Sequence, residues 1–391
     1  MSASVRSALL LFAFIVLVTG CASEDVDWRY RTTSLDMRPP SGPDAIGTLT
    51  VAGRVDAAAF TNDALWALVA VPTRRDLPIN RVVRIGLADN RLSDLFAVKG
   101  FSSGAIAAGH DAIWVAEGHG GDNVHRIDPA SQRIVASVAL PRNPVGLAVD
   151  ESAVWVIAAA EALRPGGMLR SVSGLALFRI DPVSNAIVDT ITIPGYTAPA
   201  PGLTTASIAA AAGSVWVATP TGDVVRVDTR ANRIVATLTA PGEIGERRTN
   251  YWLAAPAGRL YLVRQVKERA DLPASYEALQ TKVWEIDHRT NRLASPSVQF
   301  DSQGVVLFLG DEGAWLGSTR LDAIERADPG TFRSVAAPLK IGYPVYALAA
   351  GHGTLWAFSG ARITQGDNRN ITWITRVRTG RGPRKAEGEG Q

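Results

Sequence analysis

The stretch AIWVAEGHGGDNVHRIDPASQRIV, residues 112–135, can be read in two ways. Glu117, His119, Asp122, His125 and Asp128 fall within twelve positions, and short-range His and carboxylate clusters are how metal sites and acid/base pairs are built. The same stretch also holds a β-rich run around Trp114, then a second run ending in an Asp-Pro turn, which is how hairpins read. The rest of the chain decides between site and scaffold.

Beyond residue 44 the chain is self-similar. DAIWVAEG, SAVWVIAA, GSVWVATP, EGAWLGST and GTLWAFSG place Trp at 114, 155, 216, 315 and 356, and Trp66 and Tyr261 complete a series of seven. Successive spacings are 48, 41, 61, 45, 54 and 41 residues, the period of propeller blades. After each aromatic comes a second motif: VVRIGLADNRL, VHRIDPASQRI, LFRIDPVSNAI, VVRVDTRANRI, VWEIDHRTNRL and IERADPGTFRS, short strands around a tight turn. Each unit thus carries an a–b hairpin ending in the aromatic and a c–d hairpin around the Asp. The expected fold is all-β, a seven-bladed β-propeller of four-stranded blades. The seventh unit ends at ITWITRV (371–377) without an outer strand, and AIGTLTVAG (45–53) is left over at the other end. The N-terminal strand is therefore expected to complete the last blade and close the ring, removing open edges. A count of six or eight would require misreading the degenerate fifth unit.

These repeats resemble two bacterial propeller families. LFRIDPVSNAIVDTITIPG and NPVGLAVDESAVWV resemble the YVTN/YncE-like propellers, and the W-V-A-E spelling at Trp114–Glu117 resembles the streptogramin lyase (Vgb)-like propellers. The resemblance spans nearly all of 44–377, and its motifs build blades, so it implies a fold and leaves function open. The lyase resemblance implies a His general base with a Mg²⁺ site, but the family's catalytic histidine matches no residue here.

Seven copies of each position separate scaffold from special residues. Asp128 aligns with Asp181, Asp228, Asp287 and Asp328 as a turn former. Arg126 stands in a column with Arg84, Arg179, Arg226, Arg326 and Arg376, broken by Glu285; residues two apart share a strand face, so each Arg is expected beside the Asp of its own turn. His125 occupies a variable column and reads as a surface or packing residue. Glu117 and His119, at the end of strand b and in the glycine-rich loop beyond, remain as candidate catalytic residues. Without a third ligand they make no complete metal site, so no cofactor is assigned, although a divalent metal is compatible with them.

The b–c loops and d–a connections of a propeller share one face. On it the candidate binding rim comprises Arg74, Arg75, Arg170, Tyr196, Arg247, Arg248, Tyr251, Arg264, Arg320, Tyr343 and Tyr346, residue types common at recognition hot spots. Asp76, Glu161, Glu243, Glu246, Asp271 and Asp322 share that rim, so it is not a purely cationic pocket. The insertions 161–173 and 267–282 are expected to form a lip over it, the second with a short helix starting at Asp271 or Ser275.

The N-terminus sets the location. A single cation, Arg6, precedes an apolar run from Ala8 to Val18 and then small residues, the pattern of a secretory signal over 1–20. Val18-Thr19-Gly20-Cys21 resembles a bacterial lipobox, which implies that Cys21, the one cysteine of the chain, is lipidated, and that Ala22 and Ser23 are compatible with the outer membrane. No intrachain disulfide can form. Residues 21–43 then read as the lipidated Cys and a flexible tether, 44–378 as the propeller, and 379–391 as a disordered tail.

The net charge is +3 on 391 residues, too small an excess to argue for nucleic acid. No G-x-S-x-G elbow, H-E-x-x-H, phosphate loop or G-x-G-x-x-G is present. The expectation is a monomeric, lipid-anchored envelope protein whose propeller is a non-catalytic binding or scaffold module for a protein, peptide or glycan. The alternative is a metal-dependent lyase or lactonase-type enzyme.

Overall fold

The computed structural model describes residues 41–71, 79–100, 104–118, 120–163, 169–194, 206–241, 249–267, 279–294, 298–301, 305–310, 313–318, 322–362 and 370–378. The strands form seven antiparallel sheets arranged as a ring. Blade 1 runs Arg54–Phe60, Ala64–Val71, Ile79–Gly86 and Leu92–Val98 from strand a to strand d. Blade 2 follows as Ala105–Gly109, Ala112–Ala116, Asn123–Asp128 and Arg133–Ala139. Blades 3 to 6 repeat the order. In blade 5 the outer strand is split into Arg292–Leu293 and Val298–Asp301, which is why that unit reads as degenerate. In blade 7 the outer position is taken by Ala45–Ala52, antiparallel to Asn370–Val377, so the N-terminal strand closes the ring as expected. Just before it, Gly42 N–H and Asp44 N–H bond Ile341 O and Lys340 O of blade 6, at 2.9 and 3.1 Å. A Cβ on Gly42 would sit 2.4 Å from the Ile341 backbone, so only glycine fits that clip.

The core is distributed rather than central. Seven apolar clusters lie in the seven seams between adjacent blades. Trp66, Trp114, Trp155, Trp216 and Trp356 are essentially fully buried there, each blade contributing an aromatic to one neighbour. Their indole N–H groups find acceptors in the a–b turns, such as Gly109 O for Trp114 and Asp150 Oδ2 for Trp155. The c–d turns explain the Asp and Asn columns. Asp128, Asp181, Asp228, Asp287 and Asp328 each accept hydrogen bonds from groups two or three residues on, which hold their carboxyls below the usual range. Asn90, Asn185, Asn232 and Asn291 all have φ between 50° and 55°, the left-handed region that Asn tolerates.

The Arg column corrects the sequence reading. Arg126 does not pair with its own Asp128; it reaches across the seam and donates to Pro182 O and Asn185 Oδ1 of blade 3, at 2.8 and 3.2 Å. Arg179 does the same to Asn232, Arg226 to His288 O and Asn291, and Arg376 to Leu87 O and Asn90 across the closing seam. Each of these guanidiniums also lies over the Trp of its own blade, 5.0–5.9 Å from the ring centre. The reason is orientation: the Trp face of a blade points to the next blade, and Arg stands directly opposite Trp in the b–c ladder, as Trp114↔Arg126 shows. Where the column breaks, the partner changes with it. Glu285 of blade 5 pairs with Arg259, and the facing turn of blade 6 carries Phe332 in place of Asn, edge-on to Tyr261. Blade 2 has Gln132 at the Asn position, and Arg84 of blade 1 turns instead to Asp63.

The insertion at 267–282 is described only at its ends. Leu279–Lys282 begin strand c, while Asp271 and Ser275, where a helix was expected to start, lie outside the described residues.

Candidate functional site

Glu117 follows strand b of blade 2 and faces blade 1. Its carboxylate is buried and fully engaged. Oε2 accepts from Asp122 N–H, Asn123 N–H and Asn123 Nδ2, at 2.9, 2.9 and 3.0 Å, and Oε1 accepts from His125 Nε2 at 3.0 Å. Burial alone would raise its pKa; the hydrogen bonds from His125, Asn123 and the two backbone amides outweigh it and bring it down to about 2. Gly121 comes so close to the side chain that a Cβ on it would lie 2.7 Å from Oε2. From blade 1, Asn80 Nδ2 donates to Glu117 O at 3.0 Å and fixes the loop to its neighbour.

The partner of Glu117 is thus His125, which the sequence reading placed among scaffold residues. His119 lies outside the described residues. His125 stands opposite Val115 in the b–c ladder, and Glu117 lies two positions beyond Val115 on the same face, so the two side chains are diagonal neighbours. The outer strand adds a third member: Ser137 stands opposite His125, and its Oγ lies 2.8 Å from His125 Nδ1. The ionised carboxylate only accepts, so Nε2 carries its hydrogen; in the neutral imidazole Nδ1 is then the acceptor, and Ser137 Oγ–H donates to it. The result is a continuous Ser–His–Glu chain running from the outer strand to the b–c face. With His125 and three N–H groups on its oxygens, Glu117 has little capacity left for a metal ion. Among the described residues, no group of three His, Cys, Asp or Glu side chains is placed to hold one.

Four of the rim candidates have described side chains, and they serve the seams. Tyr251 is buried, its ring over Gly222 of blade 4, and Arg264 is buried opposite it in the ladder. Tyr346 Oη accepts from Val55 N–H at 3.0 Å and shares a hydrogen bond with Thr372, under the Arg54 guanidinium. Burial pushes the Tyr346 hydroxyl up to about 12. Tyr343 rests edge-on against Trp373 at 4.7 Å. For Tyr251, Arg264 and Tyr346 the expectation of an exposed rim is therefore replaced by packing between blades, because the start of strand a and the end of strand b lie inside the ring wall. Arg170 lies in strand c of blade 3, with only its backbone described. Arg74, Arg75, Tyr196, Arg247, Arg248, Arg320 and Cys21 lie outside the described residues.

One feature of the b–c face stands out from the sevenfold pattern. Strands b and c of blade 3 span Val154–Leu163 and Leu169–Asp181, ten and thirteen residues against five and six in blade 2. They remain paired out to Leu163↔Leu169, so a two-stranded ribbon rises on that side, where the insertion 161–173 is expected to form a lip.

No protein-family model and no curated protein sequence matches the chain. Solved structures do. The WD40 domain of Toxoplasma gondii coronin is similar with a TM-score of 0.51 and 10% identity, over 90% of this chain and 91% of that one. The β-propeller domain of Cps50 (Swd1) from Myceliophteria thermophila is similar with a TM-score of 0.52 and 12% identity, over 84% and 98%. A chain of the Mitotic Checkpoint Complex is similar with a TM-score of 0.52 and 13% identity, over 87% and 94%. At such identities the likeness is one of fold.

Proposed function

We propose that this chain is a non-catalytic binding or scaffold propeller, held on the cell envelope by an acylated Cys21, whose b–c face takes a protein, peptide or glycan partner. The observation that carries the reading is the blade 3 ribbon, a departure from sevenfold regularity on the face where loops and connections converge. Propeller folds of the WD40 kind commonly serve as binding platforms, and one of the similar structures is by name a complex. The engagement of Glu117 by its own loop and by His125 fits a structural rather than a metal-ligating carboxylate.

The test uses the full chain in a Gram-negative host. A photo-crosslinker at position 171 or 172 of the ribbon should give a discrete adduct that Arg247→Ala plus Arg248→Ala weakens; Cys21→Ser should release the protein from the membrane fraction. Absence of any adduct from folded, membrane-associated protein would refute the binding face. The lyase or lactonase alternative is read on protein purified without chelator: a stoichiometric divalent ion lost in His119→Ala would favour it.

A further inference from the structure

We propose that Ser137 is an activated nucleophile that accepts short acyl groups from esters, with His125 as its general base and Glu117 as the positioning residue behind it. This sets aside the non-catalytic part of the reading above, leaves its binding face in place, and does not depend on any partner. Ser137 Oγ–H donates to His125 Nδ1 over 2.8 Å, and His125 Nε2–H donates to Glu117 Oε1 over 3.0 Å. A hydroxyl, an imidazole and an ionised carboxylate in series are the elements of an activated serine. The ring is used the other way round from the familiar triad, with Nδ1 toward the hydroxyl. The imidazole is held in place by strand pairing on both sides, Val115↔His125 and His125↔Ser137.

The outer end of this chain is open. Ser137 is exposed on the edge strand of blade 2, flanked on its face by the exposed Val135 and Ala139. Leu140 N–H bonds Asp122 O, and pairing alternates from there along the ladder, so His125↔Ser137 is a pair that does not exchange backbone hydrogen bonds. The side chains of such pairs are drawn close, consistent with the 2.8 Å contact, and the Ser137 N–H points outward from the sheet edge. That N–H is available to an oxyanion forming at the adjacent carbonyl. An open strand flanked by Val and Ala suits a small ester with a short apolar acyl group.

In the first step Ser137 Oγ bonds to the ester carbonyl carbon while its proton passes to His125 Nδ1. The tetrahedral adduct collapses, the C–O bond to the alcohol breaks, and the leaving oxygen takes that proton. Water then attacks the acyl-serine, gives a proton to Nδ1, and releases the carboxylic acid as the proton returns to Oγ. The net reaction is ester plus water to acid plus alcohol.

The full chain contains its own controls. Ser131 Oγ and Ser152 Oγ are exposed hydroxyls that donate to the carboxylates of Asp128 and Asp150, and neither bonds a histidine. With p-nitrophenyl acetate as probe and peptide mass spectrometry as readout, Ser137 should be acetylated about 100-fold faster than either, the lower range of general-base assistance. Ser137→Ala, an exposed change that leaves folding intact, should abolish the burst of nitrophenolate. Glu117→Gln should lower the acetylation rate and move the midpoint of its pH profile, a readout that a merely structural glutamate would leave in place. Acetylation of Ser137 at the rate of Ser152, or a burst that survives Ser137→Ala, would overturn the proposal.

Discussion

Replacing Arg226 by Ala tests the idea that the blades are clasped to one another by their c-strand arginines. Arg226 has the closest contacts of the series: it donates to His288 O at 2.6 Å, Asn291 Oδ1 at 2.7 Å and Ser214 Oγ at 2.9 Å, and lies 5.0 Å from the centre of Trp216. A hydrogen bond from a charged donor contributes about 1.5–3 kcal/mol, and an exposed cation–π contact about 0.5–1 kcal/mol. The side chain is half-buried, so water replaces part of what is lost, and the expected cost is about 2–4 kcal/mol. Urea unfolding should show a lower midpoint with an unchanged slope. Arg84→Ala is the matched control, since its partner Asp63 is 65% exposed and a surface pair contributes about 0.2–1 kcal/mol. Asn291→Gly removes the acceptor while keeping the left-handed backbone inexpensive, and a double-mutant cycle with Arg226→Ala should give a coupling of about 1 kcal/mol. Equal losses for Arg226→Ala and Arg84→Ala, or a coupling near zero, would show that the clasps do not hold the ring.

Three further outcomes are expected. Glu117→Gln should cost about 3 kcal/mol at neutral pH, from a carboxyl lowered from 4.5 to about 2 at 1.36 kcal/mol per unit. Because the folded pKa is the depressed one, that advantage is present above about pH 4.5 and is lost as pH falls to about 2, so the wild-type and variant acid-unfolding curves should converge there. Phe332→Ala should destabilise the blade 5–6 seam by about 1 kcal/mol or more through the lost edge contact with Tyr261, read by thermal melting; an unchanged melt would deny that contact any role. Deleting residues 41–52 should leave blade 7 with an open edge and produce oligomers by light scattering, whereas a monodisperse monomer would show that the closing strand is dispensable.

The architecture was legible because a propeller writes itself seven times. The Trp series marks strand b, the Asp-x-x-x-Asn spacing marks a turn that needs a side-chain acceptor and then a left-handed residue, and the leftover strand at 45–53 marks the closure. What faces what across a seam was not legible. Strand periodicity assigns Arg126 to a face but does not say that the next blade's turn, rather than its own Asp128, comes within reach. The Glu117–His125–Ser137 chain escaped for a related reason: column alignment compares blades with one another and hides cross-strand partners within one blade. A signal was present. Once Arg126 is set opposite Trp114, His125 falls opposite Val115 and diagonal to Glu117. Tyr251, Arg264 and Tyr346 were misassigned for a different reason, since residue type suggested recognition where the ring wall uses the same Tyr and Arg for packing.

The closure by Ala45–Ala52 has a consequence for the order in which the molecule can be made. Thr48 and Thr375, whose hydroxyls meet at 3.1 Å in the last blade, are 327 positions apart in the chain. As the chain emerges N-terminus first, from the ribosome or from an export channel, this first described strand has no partner until the last one has followed, and bringing the two together carries a loop-closure entropy of about 5 kcal/mol if the chain between them is still unstructured. Blades 1 to 6 are built from neighbours in sequence and can assemble in passing, which shortens the effective loop to a preformed arc. Until the last strand arrives the emerging protein is an incomplete circle carrying an unsatisfied β-edge at each end, and its vulnerability to mispairing is concentrated in that interval rather than in the finished ring.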